Sequence, residues 1–313
     1  MLVAVSGGCD SLSLLHLLVQ LQHEYGLQLT AAHFDHALRD SSQNDAVFAR
    51  QVCYGLKVPC IVERRSEPVG RTHVEEQGRE DRYEFLQRAA RQHHCRFVAV
   101  GHTADDQAET ILHHILRGTG LQGLTGIPAT RQLAEGLQLI RPLLDCKRGQ
   151  LEEWLRVQEI AWVDDESNSS AAFTRNRIRH ELLPLLRENF NPQIDAALLR
   201  LGIQADSAEQ GLRCLAQDLL SRVVHTDHSG PHHRVTIDCK LMGDTPQAIV
   251  TRMFIELWSQ LNWPRQKMTT HHWQKLADMT RHRGHPTGHS LPGNVQARWY
   301  RGVLSLDITS GSE

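Results

Sequence analysis

The sequence predicts an α/β protein: a doubly wound parallel sheet, followed by a helical linker and a smaller α+β domain. Three observations carry that prediction. Short β-branched runs alternate with amphipathic stretches through roughly the first 120 residues. A glycine-rich turn follows the first of those runs and leads straight into a helical pattern. Beyond residue 190, proline punctuation and a long helical pattern precede a short unit of mixed elements.

The strands are expected at 2–5, 29–34, 60–63 and 96–100, each short and apolar enough to be buried on both faces. Amphipathic stretches at 10–24, 43–56, 75–93 and 104–116 supply the helices between and after them. Alternation at this spacing builds βαβ units with right-handed crossovers, and such sheets collect ligands at the carboxyl ends of their strands. Pro184 and Asn191-Pro192 then mark a boundary. Ile194, Ala197, Leu198 and Leu201 follow at i, i+3, i+4, i+7, which predicts a helix over 192–220. A Gly/His/Asp-rich gap at 225–233 precedes a strand at 234–238, helices at 246–261 and 268–280, and a closing hairpin turning at Arg301-Gly302. The expected divisions are 1–190, a helical linker 191–224, and 225–313.

Composition narrows the function classes. The 313 residues carry 34 Lys+Arg against 36 Asp+Glu, and 22% charged with 40% hydrophobic residues excludes wholesale disorder. No apolar run approaches the roughly 18 residues of a membrane span, and no basic-then-apolar leader opens the chain, so the cytoplasm is the expected compartment. Seven scattered cysteines without a CxxC argue against a disulfide framework, a cysteine zinc site or an iron–sulfur cluster. Of the 34 cations 29 are Arg, which suits bidentate phosphate contacts but equally follows from a GC-rich genome.

The run LVAV leads into Ser6, Gly7, Gly8, Cys9, Asp10 and Ser11. Adjacent glycines bring backbone N–H groups close to an anion, and a helix start adds a positive dipole end. Ser6 and Ser11 offer hydroxyls, and Asp10 suits either a helix cap or a magnesium ion. Neither Walker A nor GxGxxG is present. On these six residues alone, a capped turn and a phosphate loop remain equal readings. Any small residue serves at position 9, so Cys9 is not expected to be a nucleophile.

Two further constellations follow strands. HFDHALR at 33–39 puts Asp35 and His36 at the sheet's carboxyl edge, where an Asx turn is the plain alternative. GHTADDQAET at 101–110 places His102, Asp105, Asp106 and Glu109 at i, i+3, i+4 and i+7. Three acids with no interleaved cation need a metal, a cationic substrate or a neighbouring arginine to offset their repulsion. Arg79 and Arg82 share one helix face three residues apart, and Arg175, Arg177 and Arg179 alternate in RNRIRHELLP.

The loop SGGxDS, taken with HFDHALR, GREDRYEFL at 78–86, GHTADDQAETILHHILRGTGLQGL at 101–124, RPLL at 141–144, DESN at 165–168 and RNRIRHELLP at 175–184, resembles the N-type ATP pyrophosphatase (PP-loop) superfamily. Within it the chain most resembles the tRNA(Ile)-lysidine synthetase family, over most of residues 1–190. The resemblance implies an adenine nucleotide α-hydrolase-like fold and an ATP-dependent ligase that joins free L-lysine to the wobble cytidine of the CAU-anticodon isoleucine tRNA. It implies ATP binding by Ser6, Gly7, Gly8, Cys9, Asp10 and Ser11, and lysine binding by Asp35 and Glu109. Arg82, His102, Asp105, Asp106 and Arg141 would serve the reacting centre, with Mg2+ at Asp10 and Asp105. Arg175, Arg177 and Arg179 would contact tRNA. Residues 289–308 look like the family's first small appended domain, in which Trp299 and Tyr300 either stack on bases or pack the core. The further domain of longer members, and the segment that usually precedes the first strand, are expected to be missing. A thiolating enzyme of the same superfamily would normally need paired cysteines, and a nucleotide-binding regulatory module would not need the acid cluster.

Overall fold

The computed structural model describes residues 1–37, 42–65, 74–163, 174–227 and 234–308. Leu38 and Arg39 of HFDHALR and all of DESN lie outside these residues. The chain divides into two compact units, Met1–Gln204 and Ala205–Glu313.

The first unit runs β1 (Leu2–Ala4), α1 (Cys9–Gln20), α2 (Gln22–Tyr25), β2 (Thr30–Asp35), α3 (Ser42–Gly55), β3 (Cys60–Arg64), α4 (Val74–Gln92), β4 (Phe97–Ala99), α5 (Ala104–Leu116), α6 (Leu121–Leu124), β5 (Thr130–Ala134), β6 (Leu137–Ile140), α7 (Arg148–Val157), α8 (Thr174–Arg177) and α9 (Leu183–Asn189). A π-helical turn, Ile178–Leu182, joins α8 to α9, and α10 (Ile194–Val223) follows. The sheet order is β3-β2-β1-β4-β6-β5. Every pairing is parallel except that of β5 with β6.

Side chains alternate across this sheet and each face is covered. Val3, Ala31 and Ala99 point to one face, where residues of α1, α3 and α7 such as Leu12, Leu15, Ala49, Cys53 and Leu155 close over them. Leu2, Ala32, Val98 and Leu139 point to the other, against Phe85, Leu86 and Ala90 of α4. Burial on both sides is why the strands read as continuous apolar runs rather than alternating ones. A third cluster packs Ala108, Ile111 and Leu112 of α5 on Ile178 of the π-helical turn, with Leu183 and Leu198. That cluster holds the chain after residue 174 beside α5.

Several elements differ from the sequence expectation: α7 (Arg148–Val157) lies where no helix was expected, and the expected helix over 10–24 breaks into α1 and α2. The β5–β6 hairpin was not anticipated, because Thr130–Ala134 is mostly exposed, carries Arg131 and Gln132, and bulges between Gln132 and Ala134. The supposed gap at 225–233 begins as a strand, β7 (Val224–Asp227), a polar edge strand whose backbone pairing outweighs its weak propensity. The unit division falls inside α10, which spans most of the expected linker.

The second unit adds β8 (Arg234–Asp238), α11 (Gln247–Gln260), α12 (Thr270–Thr280), β9 (Thr287–Leu291), β10 (Val295–Tyr300) and β11 (Val303–Ile308), with antiparallel order β7-β8-β11-β10-β9. Trp258 is fully buried, with the Trp263 and Trp273 rings edge-on at 4.9 and 5.2 Å. The closing turn has positive φ at both Arg301 and Gly302, the type I′ geometry that matches strand twist. Trp299 packs in the core, whereas Tyr300 on the opposite face is exposed. Among the described residues no helix is long and apolar enough to cross a membrane.

Candidate active site

After β1 the backbone turns through Ser6, Gly7 and Gly8. Gly7 has φ +94°, a conformation that L side chains rarely adopt, so the turn requires glycine there. The Ser6 N–H donates to Ser11 Oγ at 3.1 Å, the two hydroxyl oxygens stand 3.0 Å apart, and Ser11 Oγ donates to the Gly8 carbonyl at 3.0 Å. Gly8, at the N-cap of α1, supplies no side-chain cap. The first-turn N–H groups of α1 are therefore left for an anion, with two hydroxyls beside them. Cys9 contributes backbone only: burial, then Asp10 and Glu152, push its thiol up to about 11, so it is no thiolate at neutral pH.

The loop lies where strand order reverses, with β2 on one side of β1 and β4 on the other, the position at which open α/β sheets bind ligands. The β4–α5 connection comes tight against it. A Cβ added at Gly101 would fall 2.9 Å from both the carbonyl carbon and the oxygen of Asp10. Phosphate loop and acid helix thus share one crevice. Burial pushes the Asp10 carboxyl up to about 6, Arg148 opposing and Asp106 adding to the rise. Its Oδ1 is buried and without a hydrogen-bond partner among the described residues.

Helix α5 begins with a capping box. Thr103 N–H donates to Asp106 Oδ2 at 2.9 Å, and the Asp106 N–H reaches Thr103 Oγ1 at 3.5 Å. Asp105 Oδ2 accepts from the Arg148 N–H at 2.8 Å, at the start of α7. The remaining Asp106 oxygen and all of Glu109 face two arginines. Arg175 reaches Glu109 Oε2 and Asp106 Oδ1, both at 3.1 Å. Arg179 grips both oxygens of Glu109, through Nε at 2.5 Å and Nη2 at 3.1 Å. Burial would raise the Asp106 carboxyl, but Arg175, the Thr103 N–H, His102 and Arg179 outweigh it and hold it low. The repulsion expected among the α5 acids is met in this structure by arginine. Arg177 points elsewhere, exposed and paired with Glu181.

His102 Nδ1 accepts from Arg141 Nε at 3.0 Å. Burial first, with Arg141 and Arg82 against Asp106, pushes this imidazole down to about 3, so it is neutral and carries its hydrogen on Nε2. Arg141 is itself buried, with its Nη1 donating to the Pro128 carbonyl. On the far side of the loop, Asp35 is buried at the end of β2. One of its oxygens accepts from the Ala37 N–H at 2.8 Å, the Asx turn that its sequence allowed, and the other lies 3.6 Å from Arg64 Nε. His36 beside it is pushed down to about 4 by burial and by Arg82 and Arg65. No direct contact joins Asp35 to Glu109 among the described residues.

Three positioning groups had escaped the sequence reading. His33 Nδ1 bonds the Val5 carbonyl at 2.9 Å and ties β2 to the mouth of the loop. Gln107 clamps residues 125–127 through their backbone, so α5 fixes the hairpin base that carries Arg141. Arg148 opposes the charge of Asp10. Gln107 and His33 had a local signal, their places within GHTADDQAET and HFDHALR. Among the described residues no three His, Cys, Asp or Glu donors converge on one metal position.

A serine- and glycine-built anion loop at the switch point of such a sheet defines the PP-loop class, and residues 1–186 match the PP-loop domain family. The U34-tRNA thiolase NcsA from Methanococcus maripaludis, solved with its [4Fe-4S] cluster, has a similar fold, at TM-score 0.53 and 17% identity over 65% of this chain and 71% of that one. The tRNA(Ile)-lysidine synthase of Rhodopirellula baltica is 35% identical over 89% of this chain and 78% of its own length. That of Gloeobacter violaceus is 36% identical over 96% and 89%. The Nostoc enzyme is 40% identical over 66% of this chain and 60% of its own length. The chain belongs to the tRNA(Ile)-lysidine synthase family of PP-loop proteins.

Proposed function

We propose that this protein is an ATP-dependent ligase that joins free L-lysine to C2 of the wobble cytidine in the CAU anticodon of isoleucine tRNA. The observation that carries the reading is the shared crevice, in which Gly101 presses the β4–α5 acids against the phosphate loop. The cytidine O2 attacks the α-phosphorus of ATP and pyrophosphate leaves. The lysine ε-amine then attacks C2 and AMP leaves, so lysidine replaces cytidine and AUA is read in place of AUG.

Residues Ser6 to Ser11 bind the phosphates through N–H groups and hydroxyls. Arg82, Arg141 and the Nε2–H of His102 stabilise charge developing at the α-phosphate and leaving group. The buried, unpartnered Oδ1 of Asp10 fits a cation, and Asp10 with Asp105 would hold Mg2+, which neutralises phosphate charge when bound. Asp35 and Glu109 hold the lysine, whose ammonium takes over a carboxylate that Arg175 and Arg179 otherwise neutralise. Asp106 accompanies them at the reacting centre. Arg177, exposed and turned away from the acids, contacts RNA phosphate, and Arg175 and Arg179 become available to do so once lysine takes over their carboxylate. The second unit orients the tRNA. Positioning and electrostatics supply the acceleration, with no covalent protein nucleophile.

The test compares pyrophosphate and AMP release with lysine plus unmodified CAU-anticodon isoleucine tRNA against reactions lacking one component. Turnover that needs all three, with labelled lysine entering RNA, is the expected result. Pyrophosphate release without lysine incorporation would overturn the substrate. ATP binding without turnover under any RNA would favour a nucleotide-binding module.

A further inference from the structure

Tyr83 on α4 stands at the centre of a concentration of positive charge that the reaction, as described, uses only in part. The guanidinium carbons of Arg79, Arg82 and Arg131 lie 5.5, 5.5 and 4.8 Å from its ring centroid. Burial would raise the phenol, but Arg82, Arg79, Arg141 and Arg131 together hold it below its ordinary value. The buried Tyr83 hydroxyl lies close enough to Arg82 and Arg141 to interact with both guanidiniums, while neither it nor Arg82 Nε makes a hydrogen bond of full geometry among the described residues. Asp81, next to Arg82 in sequence, is taken by Arg65 at 2.8 Å. Among the described residues no ion pair joins Arg79, Arg82, Arg131 or Arg141 to a carboxylate.

The four guanidiniums are graded in depth. Arg141 is buried and Arg82 half-buried, whereas Arg79 and Arg131 are exposed. The hairpin explains the pairing of depths: the Arg141 N–H bonds the Ala129 carbonyl, so the strand that ends at the deep arginine brings Arg131 to the rim. Like charges gathered without a carboxylate partner favour an anion, and guanidiniums held over an aromatic ring are positioned for phosphate. The inner pair lies beside His102 in the crevice, and the outer pair, being exposed, is open to an anion that extends beyond it.

We propose that Arg79 and Arg131, aligned by Tyr83, hold the phosphodiester groups flanking the nucleotide that enters the crevice. This inference rests on the proposed function, since it assumes an RNA strand threading past the PP-loop. In it Tyr83 is a positioning residue, and the two arginines contact the RNA backbone without reading its sequence.

The experiment is equilibrium binding of unmodified CAU-anticodon isoleucine tRNA across a range of salt concentrations, for the full chain and for Arg79→Ala, Arg131→Ala, the double variant and Arg131→Lys. Each lost phosphate contact lowers the slope of log Kd against log salt by about 0.7–0.9. The double variant should therefore lose about twice that, Arg131→Lys should keep the full slope, and ATP affinity without RNA should be unchanged. An unaltered slope in the double variant would overturn the proposal while leaving the ligase reading intact. So would weaker ATP binding or a raised lysine KM with RNA binding unaffected, because the pair would then serve the small substrates. A wild-type chain that binds no tRNA would sink the ligase reading itself, and this inference with it.

Discussion

Asp10 carries opposite consequences for stability and for activity. Its folded carboxyl titrates at about 6 against an ordinary 3.8, so between those values the native state keeps a proton that the unfolded state has lost. Stability from this group therefore falls as pH rises through that window, and the penalty is complete above about 6. Asp10→Asn should raise Tm by several degrees at pH 7.5 and by almost nothing near pH 4, read by thermal melts in magnesium-free buffer. The same substitution should slow pyrophosphate release by about a hundredfold or more if Asp10 holds magnesium as proposed, because it removes the anionic donor. Glu109 makes the complementary case. It is almost fully buried and bound by both Arg175 and Arg179. Glu109→Gln is expected to raise the lysine KM by about tenfold or more while ATP- and tRNA-dependent adenylation persists without lysine. A lysine KM left unchanged would reduce Glu109 to an anchor for the arginines.

Among the elements, α1 and α5 matter most, because their N-termini meet at the switch point. Gly101→Ala tests that meeting. Its methyl would strike backbone rather than a flexible side chain, so the β4–α5 connection must withdraw from the loop. ATP affinity should fall by about tenfold or more with far-ultraviolet helical signal unchanged, whereas full affinity would show that the crevice tolerates the shift. Most helices and four of the five parallel strands, all but β6, were legible because apolar periodicity and strand length are local properties. The β5–β6 hairpin was not, since Thr130–Ala134 is an exposed edge strand formed by pairing to β6, with little apolar signal of its own. The capping box of α5 was written in the sequence as Thr103 and Asp106, yet Asp106 reads equally as a catalytic acid. In the fold its two oxygens divide that work, one capping the helix and the other facing arginine.

At the level of the whole chain, each unit has its own core, so damage should be separable. Trp258→Ala removes the fully buried centre of the tryptophan cluster and should cost about 3–5 kcal/mol. The expected outcome is a second unit that melts early while ATP binding by the first survives and tRNA-dependent turnover is lost. Loss of ATP binding as well would show that the first unit does not fold independently of the second.

Legibility follows the range of the interaction. The glycine loop, the helix that starts behind it and the succession of strand and helix are set by residues within a few positions of one another. Such local features are legible in the sequence itself, and the ordered motifs are enough to identify the family. What offsets the acids of α5 could not. Arg175 and Arg179 reach Glu109 across 66 and 70 residues, and Arg141 reaches His102 across 39. Those contacts exist because the chain after residue 174 packs on α5 and the β5–β6 hairpin returns beside β4. An arginine's partner is chosen by which chain segments the core brings within a few ångströms, and sequence spacing carries no record of that distance.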